Sequence, residues 1–202
     1  MNAITAFAFL EQLREAGHEA VVVTAGSAGT GRALLALAQA KGIPALLLAR
    51  SAEARGELLK LGARHVLSTA DENFDRDFAS LSQSLKATAI FDGVGGELAS
   101  RLAPLVPHHS NFYFFGFLGG PAPVSIPVML FMSRHLTMQR FSNFESATVK
   151  DPTRLAAALR NIETLIANPL FRTRIGQAFD FEHIEAALRY TSVGGAKAVL
   201  VA

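Results

Sequence analysis

Residues 21–38 read Val21-Val22-Val23-Thr24-Ala25-Gly26-Ser27-Ala28-Gly29-Thr30-Gly31-Arg32-Ala33-Leu34-Leu35-Ala36-Leu37-Ala38. A β-branched apolar run enters a glycine-rich turn and leaves as a helix-period pattern. That order is the phosphate-binding strand–turn–helix of a dinucleotide fold. Gly26 permits the tight turn. Ala28 stands where a second glycine would let backbone approach a pyrophosphate, and Gly31 lets the helix pack close on the strand. The free N–H groups at the start of the helix, with its dipole, would hold the anion. The pattern is G-x-A-x-x-G, one methyl from G-x-G-x-x-G. The methyl narrows the approach without forbidding it. Taken alone, the turn also suits an ordinary βα connection in any parallel α/β protein, or the first turn of a methyltransferase.

Working outward, strand and helix patterns alternate, which predicts a parallel sheet with helices on both faces. Ile4, Phe7, Phe9, Leu10 and Leu13 recur at helical spacing over 3–16, and Gly17 ends that helix. The first strand is 20–24. The helix after the turn runs to Lys41-Gly42, and Pro44 precedes a strand at 45–49. Then come a helix at 53–61, a strand at 65–67, a helix at 74–85, a strand at 88–92, a helix from Gly95-Gly96 to 103, and a strand at 111–116. A Gly/Pro loop at 119–127 leads to a sixth strand at 135–141. Six strands with five crossovers predict a Rossmann-type doubly wound sheet in the order 3-2-1-4-5-6. The tail adds a helix at 152–167, a strand at 174–178, a helix at 182–190 and a strand at 197–202. The sheet does not need this tail, which reads as a C-terminal α/β extension.

Composition narrows the class. Half of the 202 residues are hydrophobic, enough for a substantial core. No apolar run approaches the roughly 20 residues that span a bilayer, and Met1–Phe7 lacks a basic leader region. A cytoplasmic protein with no membrane partner is expected. There is no cysteine, so disulfides and thiolate zinc sites are excluded. A net charge of +2 from scattered basic residues argues against nucleic acid. Fifteen Phe and no Trp imply an aromatic-rich core. The six histidines show no metal-ligand spacing, and no G-x-S-x-G elbow supplies a hydrolase nucleophile.

Several stretches together resemble the cofactor half of a medium-chain dehydrogenase/reductase, from the zinc-free branch of quinone oxidoreductases and 2-enoyl thioester reductases. They are Asn2-Ala3-Ile4-Thr5-Ala6, the turn 25–31, Leu61-Gly62-Ala63-Arg64-His65-Val66-Leu67, Phe91-Asp92-Gly93-Val94-Gly95-Gly96, Phe115-Gly116-Phe117-Leu118, and Gly195-Ala196-Lys197-Ala198-Val199-Leu200. The resemblance implies NADP(H) as cofactor and a small-molecule substrate. In that family a barrel-like catalytic domain precedes the helix that starts here. The expected division is therefore 1–170 as the NADP-binding domain and 171–202 as a segment that returns to the catalytic domain. The resemblance also implies that a proton-donating tyrosine lies in that other domain. Neither Tyr113 nor Tyr190 matches it, so no catalytic residue is assigned.

The candidate cofactor residues begin with the turn itself: Gly26, Ser27, Ala28, Gly29, Thr30 and Gly31. Arg50 ends the second strand, where a basic residue pairs with the 2′-phosphate of NADP and an acid would accept from the ribose of NAD. Ser51 would be a second phosphate donor and Arg55 a weaker one, while Glu53 suits the first turn of the next helix. Otherwise Arg50 is a solvated charge at a strand end. Val94 and Gly95 follow the fourth strand, at the crevice a doubly wound sheet offers its ligand. Otherwise they form a glycine-rich turn with Asp92 near a helix start. By resemblance, the backbone of Phe115, Gly116, Phe117 and Leu118 faces the nicotinamide, their rings being core. Phe141 keeps the first residue of a family Phe-Trp-Leu segment, with Ser142 and Asn143 departing from it. Asn2 matches a cofactor-reaching asparagine but is almost terminal and open to fraying. Lys197 matches a lysine of the last strand, or is solvated there. The apolar stretch 121–132 reads as an exposed edge suited to a homodimer.

The expected activity is hydride transfer from NADPH to a quinone or an activated C=C. The alternatives are a non-catalytic nucleotide-binding module or sensor, and a methyltransferase. The last would want an acid where Arg50 stands.

Overall fold

The computed structural model describes residues 1–191 and 196–201. Helix α1 (Asn2–Glu15) leads into strand β1 (Val21–Val23). Four helix–strand units follow. They are α2 (Gly29–Lys41) with β2 (Ala45–Ala49), α3 (Ala52–Lys60) with β3 (His65–Ser68), α4 (Phe74–Ser84) with β4 (Ala89–Asp92), and α5 (Gly96–Leu102) with β5 (Asn111–Phe114). A short helix α6 (Val128–Ser133) precedes β6 (Thr137–Arg140). Helices α7 (Ala147–Lys150) and α8 (Pro152–Leu165) lead to β7 (Ile175–Asp180), α9 (Ile184–Arg189) and β8 (Lys197–Val201).

Strands β1 to β6 form one parallel sheet in the order β3-β2-β1-β4-β5-β6, as right-handed crossovers require. At its centre Val22 lies between Leu46 and Ile90. Helices cover both faces, so β1, β2 and β4 are buried along their whole length and read as apolar runs, broken only by Asp92 at the end of β4. Successive residues still serve opposite cores. Val23, Leu47 and Phe91 pack with Phe9, Leu13, Leu34 and Leu37 of α1 and α2. Val22, Leu46 and Ile90 pack with Phe74, Phe78 and Leu102 of α4 and α5. Phe9, Phe74, Phe78, Phe91 and Phe112 are core, whereas Phe117, whose ring was expected there, is 81% exposed because its segment has left the sheet. Phe91 is stacked between Phe9 and Phe115, at centroid distances of 4.0 and 3.9 Å, and Phe141 meets Phe9 edge-on.

Two local readings change. Strand β5 stops at Phe114, and Phe115–Leu118 leaves the sheet. The apolar stretch near 121–132 is an extended loop running into α6, whose Val128, Met129 and Met132 are exposed. Helices α6 and α7 are each under two turns, too short for a 3.6-residue stripe to show in the sequence. In the tail, β7 and β8 pair in parallel as a separate two-stranded sheet, apart from the main one. Gly195 of the C-terminal motif and Ala202 at the end of the expected last strand lie outside the described residues.

Candidate functional site

The chain winds outward from β1 towards β3 and from β4 towards β6, so the order reverses between β1 and β4. At such a reversal the connections leave in opposite directions and open a crevice at the carboxyl ends of the strands. The glycine-rich turn enters it from β1. The Gly26 amide donates to the Leu48 carbonyl at 3.0 Å, and a methyl on Gly26 would lie 2.8 Å from Leu47 Cβ. A methyl on Gly31 would lie 2.3 Å from the Ala25 carbonyl oxygen and 2.7 Å from that of Gly26. Both glycines are thus set by close approach, the first to β2 and the second between α2 and its own turn. Ala28 is the N-cap of α2 with φ −71° and ψ 162°, extended backbone open to any residue, so its methyl causes no strain. No side chain caps α2, which leaves its first-turn N–H groups to a ligand or water. Ser27 lines a different cavity of ≈ 450 Å³, between α2, α3 and residues 169–174.

Asn2 lies against the start of α2. Thr30 Oγ1 donates to Asn2 Oδ1 at 3.2 Å, and a methyl on Gly29 would fall 2.3 Å from Asn2 Nδ2. The carboxamide therefore lies across the first turn of α2. Asn2 and Thr30 share a cleft of ≈ 570 Å³ with Phe115, Gly116, Phe117 and Phe141. These six come from four separate stretches of the sequence. Arg140, Ser142, Asn143 and Phe144 also line the cleft. Arg140 forms an ion pair with Glu145, and both groups are more than half exposed. Arg140 had no sequence signal beyond standing next to Phe141.

Val94 and Gly95 are not among the residues lining this cleft, but their turn is joined to the loop after β5. The Leu118 and Gly119 amides donate to the carbonyls of Gly93 and Val94 at 3.0 and 2.9 Å. Phe115 packs on Gly93, where any side chain would meet its ring at 2.6 Å. Asp92 is completely buried. Its Oδ1 accepts from Thr24 Oγ1 at 2.6 Å and from the amides of Val94 and Gly95 at 2.8 and 3.0 Å. Sequence reasoning passed over Thr24 and read Asp92 only as lying near a helix start. The available signal was a lone carboxylate ending an otherwise apolar strand.

Arg50 is exposed directly after β2, and Ser51 is the N-cap of α3. Ser51 Oγ accepts from the Ala54 amide at 3.3 Å. Its hydrogen bond to the Glu53 side chain holds that carboxyl below the usual range, and Glu53 occupies the first turn of α3 as expected. Arg55 points away: its Nε donates to the Val66 carbonyl at 3.2 Å, and it faces Asp71. Lys197 is exposed on β8, in the second sheet, and is not among the residues lining the cleft. Tyr113 is buried on β5 with its hydroxyl 3.0 Å from His18 Nε2, and Tyr190 packs edge-on against Phe179. Among the described residues, no group of three or more His, Cys, Asp or Glu could hold a metal ion, and no helix is long and apolar enough to cross a membrane.

A family profile described as zinc-binding dehydrogenase matches residues 29–161. The mitochondrial enoyl-[acyl-carrier-protein] reductase of Candida glabrata is 27% identical over 148 residues, 68% of this chain and 38% of that one. A Mesorhizobium loti protein assigned as an NADPH:quinone reductase superposes with a TM-score of 0.83 at 20% identity, covering 100% of this chain and 58% of that one. A mycobacterial protein complexed with NADPH superposes with a TM-score of 0.72 at 18% identity, covering 100% and 62%. The chain thus spans 38%, 58% and 62% of the length of these proteins. The family's description names zinc, but a cysteine-free chain without a cluster of ligating side chains among its described residues does not fit a zinc site. With the matched segment reaching from the first turn of α2 into α8, the chain belongs to the zinc-binding dehydrogenase family, within the medium-chain dehydrogenase/reductase superfamily.

Proposed function

We propose that this domain binds a nicotinamide dinucleotide, specifically NADPH, for hydride transfer to a quinone or to an activated C=C such as an enone or enoyl thioester. The observation that carries the proposal is the cleft beside the uncapped start of α2. There Asn2, Thr30, Phe115, Gly116, Phe117 and Phe141 converge from distant parts of the chain. The first turn of α2 would receive the pyrophosphate. Arg50, free of a carboxylate ahead of it in sequence, would pair with the 2′-phosphate, aided by the Ser51 hydroxyl. The loops after β4 and β5 would border the nicotinamide ring. When bound, the cofactor supplies the hydride; the domain supplies position and electrostatics.

The β7–α9–β8 unit belongs to the same reading. Two strands are marginal as an independent sheet, and Ile175, Phe181, Ile184 and Leu188 are exposed on this unit. These faces would pack on a catalytic domain, which would also provide the proton donor. Assembly as a homodimer would use the exposed edge of β6 together with α6.

A paired titration with NADPH and NADH, read by nicotinamide fluorescence, tests the cofactor. NADPH should bind at least about tenfold tighter, and Arg50→Ala should remove most of the difference. Equal affinities would refute the 2′-phosphate role, and no binding of either nucleotide would refute the cofactor reading. The 202-residue chain alone should not reduce menadione or a crotonyl thioester efficiently. Substantial steady-state turnover would refute the need for a second domain.

A further inference from the structure

The second feature of the crevice is the hydrogen-bonded hub between β1 and β4. Thr24 and Asp92 are the residues at the carboxyl ends of these neighbouring strands, and both are buried. The Thr24 hydroxyl donates to Asp92 Oδ1 at 2.6 Å and accepts from the Gly93 amide at 3.0 Å. The same Oδ1 also takes the amides of Val94 and Gly95. Asp92 Oδ2 is equally buried and makes no hydrogen bond. Gly95 is held at φ 71° and ψ −159°, a conformation open in practice only to glycine. Beyond it, the Gly93 and Val94 carbonyls hold Leu118 and Gly119.

The side-chain chemistry is matched to this arrangement. A carboxylate oxygen is acceptor-only and can serve several donors, and a hydroxyl alone both gives and takes one bond in the same place. A buried carboxylate is otherwise unfavourable, so three donors on one oxygen argue that this position is kept for the loop it shapes. The three amides that the hub holds all lie on one side of the crevice. Residues 93–95 and 116–119 belong to the β4–β5 half, whereas Arg50 and Ser51 lie beyond β1, at the end of β2.

We infer that Thr24 and Asp92 are positioning residues for the nicotinamide half of the cofactor, because they fix the ledge formed by Gly93–Gly95 and the Leu118–Gly119 backbone. The inference rests on the proposed NADPH reading. It implies that losing the hub separates the two halves of the ligand energetically.

The test compares NADPH with adenosine 2′,5′-bisphosphate, which lacks the nicotinamide half, on the wild-type chain and on T24V, T24S, D92A and D92N. T24V and D92A should weaken NADPH by about tenfold or more and change the bisphosphate by less than about twofold. T24S restores the hydroxyl and D92N restores an acceptor at Oδ1, so both should recover most of the NADPH affinity. Comparing two ligands on one folded variant separates ledge geometry from general destabilisation, which would move both. Parallel loss of both ligands, no change in either, or failure of both T24V and D92A to fold would make the pair a staple of the fold and overturn the inference. A wild-type chain that binds the bisphosphate but not NADPH would overturn it as well. If the wild type binds neither ligand, the NADPH reading itself falls, a result seen before any variant is compared.

Discussion

Gly31 and Gly56 both lie within helices, yet Gly→Ala should have opposite signs at the two sites. In a helix interior, alanine is favoured over glycine by about 1 kcal/mol or slightly less. At Gly56 in α3 a new methyl would meet nothing within 4 Å, so that preference is expressed in full. Gly56→Ala should stabilise by about 0.5–1 kcal/mol. At Gly31 the methyl would stand 2.3 Å from one backbone oxygen, 2.7 Å from another and 2.8 Å from Gly26 Cα. None of these atoms can swing aside as a side-chain tip could. Relief requires α2 to move off β1 by about an ångström, enough to forfeit a quarter to a half of the dispersion energy at the affected contacts. Leu34 and Leu37, fully buried on this helix, would lose packing. Taking the upper end of typical overpacking, about 3 kcal/mol, against about 1 kcal/mol of helix preference, Gly31→Ala should destabilise by about 2 kcal/mol. For a chain of this length that is a fall of about 4–8 °C in midpoint. Urea and thermal unfolding of the three proteins read both signs. A Gly31→Ala variant as stable as wild type would refute the argument that close helix–turn contact, and not turn conformation, demands this glycine.

Three further outcomes are expected. His18 is half-buried, with Nδ1 2.8 Å from Thr88 Oγ1 and Nε2 3.0 Å from Tyr113 Oη, and burial pushes its pKa below the ordinary 6.5. The unfolded chain then takes up the proton more readily, so stability falls as pH drops below 6.5 towards the folded-state value. Urea midpoints at about pH 7.5 and about pH 5.5 should fall less for His18→Asn than for wild type, and equal falls would remove His18 from the account. Phe91→Ala removes a ring stacked on both sides and should destabilise by about 3–5 kcal/mol in urea unfolding. A loss below about 1 kcal/mol would mean that the site collapses freely. Light scattering should give about twice the chain mass, and Val128→Asp with Met129→Glu should return the monomer. A monomeric wild type would remove the edge-pairing proposal.

The signals that could be read early were local ones. Three consecutive valines, a turn with glycines at its first and last positions, and a following apolar helix need only neighbouring residues to be interpreted. The same holds for the Ala45–Ala49 and Ala89–Phe91 runs, whose unbroken apolarity marks strands covered on both faces. Helices α6 and α7 carried no such signal because less than two turns cannot display a stripe. Arg55 looked like a neighbour of Arg50 in sequence, but its guanidinium reaches β3 instead, because residues five apart on a strand–helix junction need not share a surface.

By itself, the sequence determined the parallel doubly wound sheet and its strand order, since alternating periodicities and right-handed crossovers leave few other arrangements. It also pointed to the turn and strand ends that flank the crevice. Only the tertiary structure decided that Asn2 closes over the turn, that six residues from four stretches share one cleft, and that Thr24 and Asp92 share a proton and three amides between two strands. Those contacts join positions up to 68 or more residues apart, such as Thr24 and Asp92. They depend on where the β1 and β4 ends are brought side by side, a distance that no window of local sequence contains.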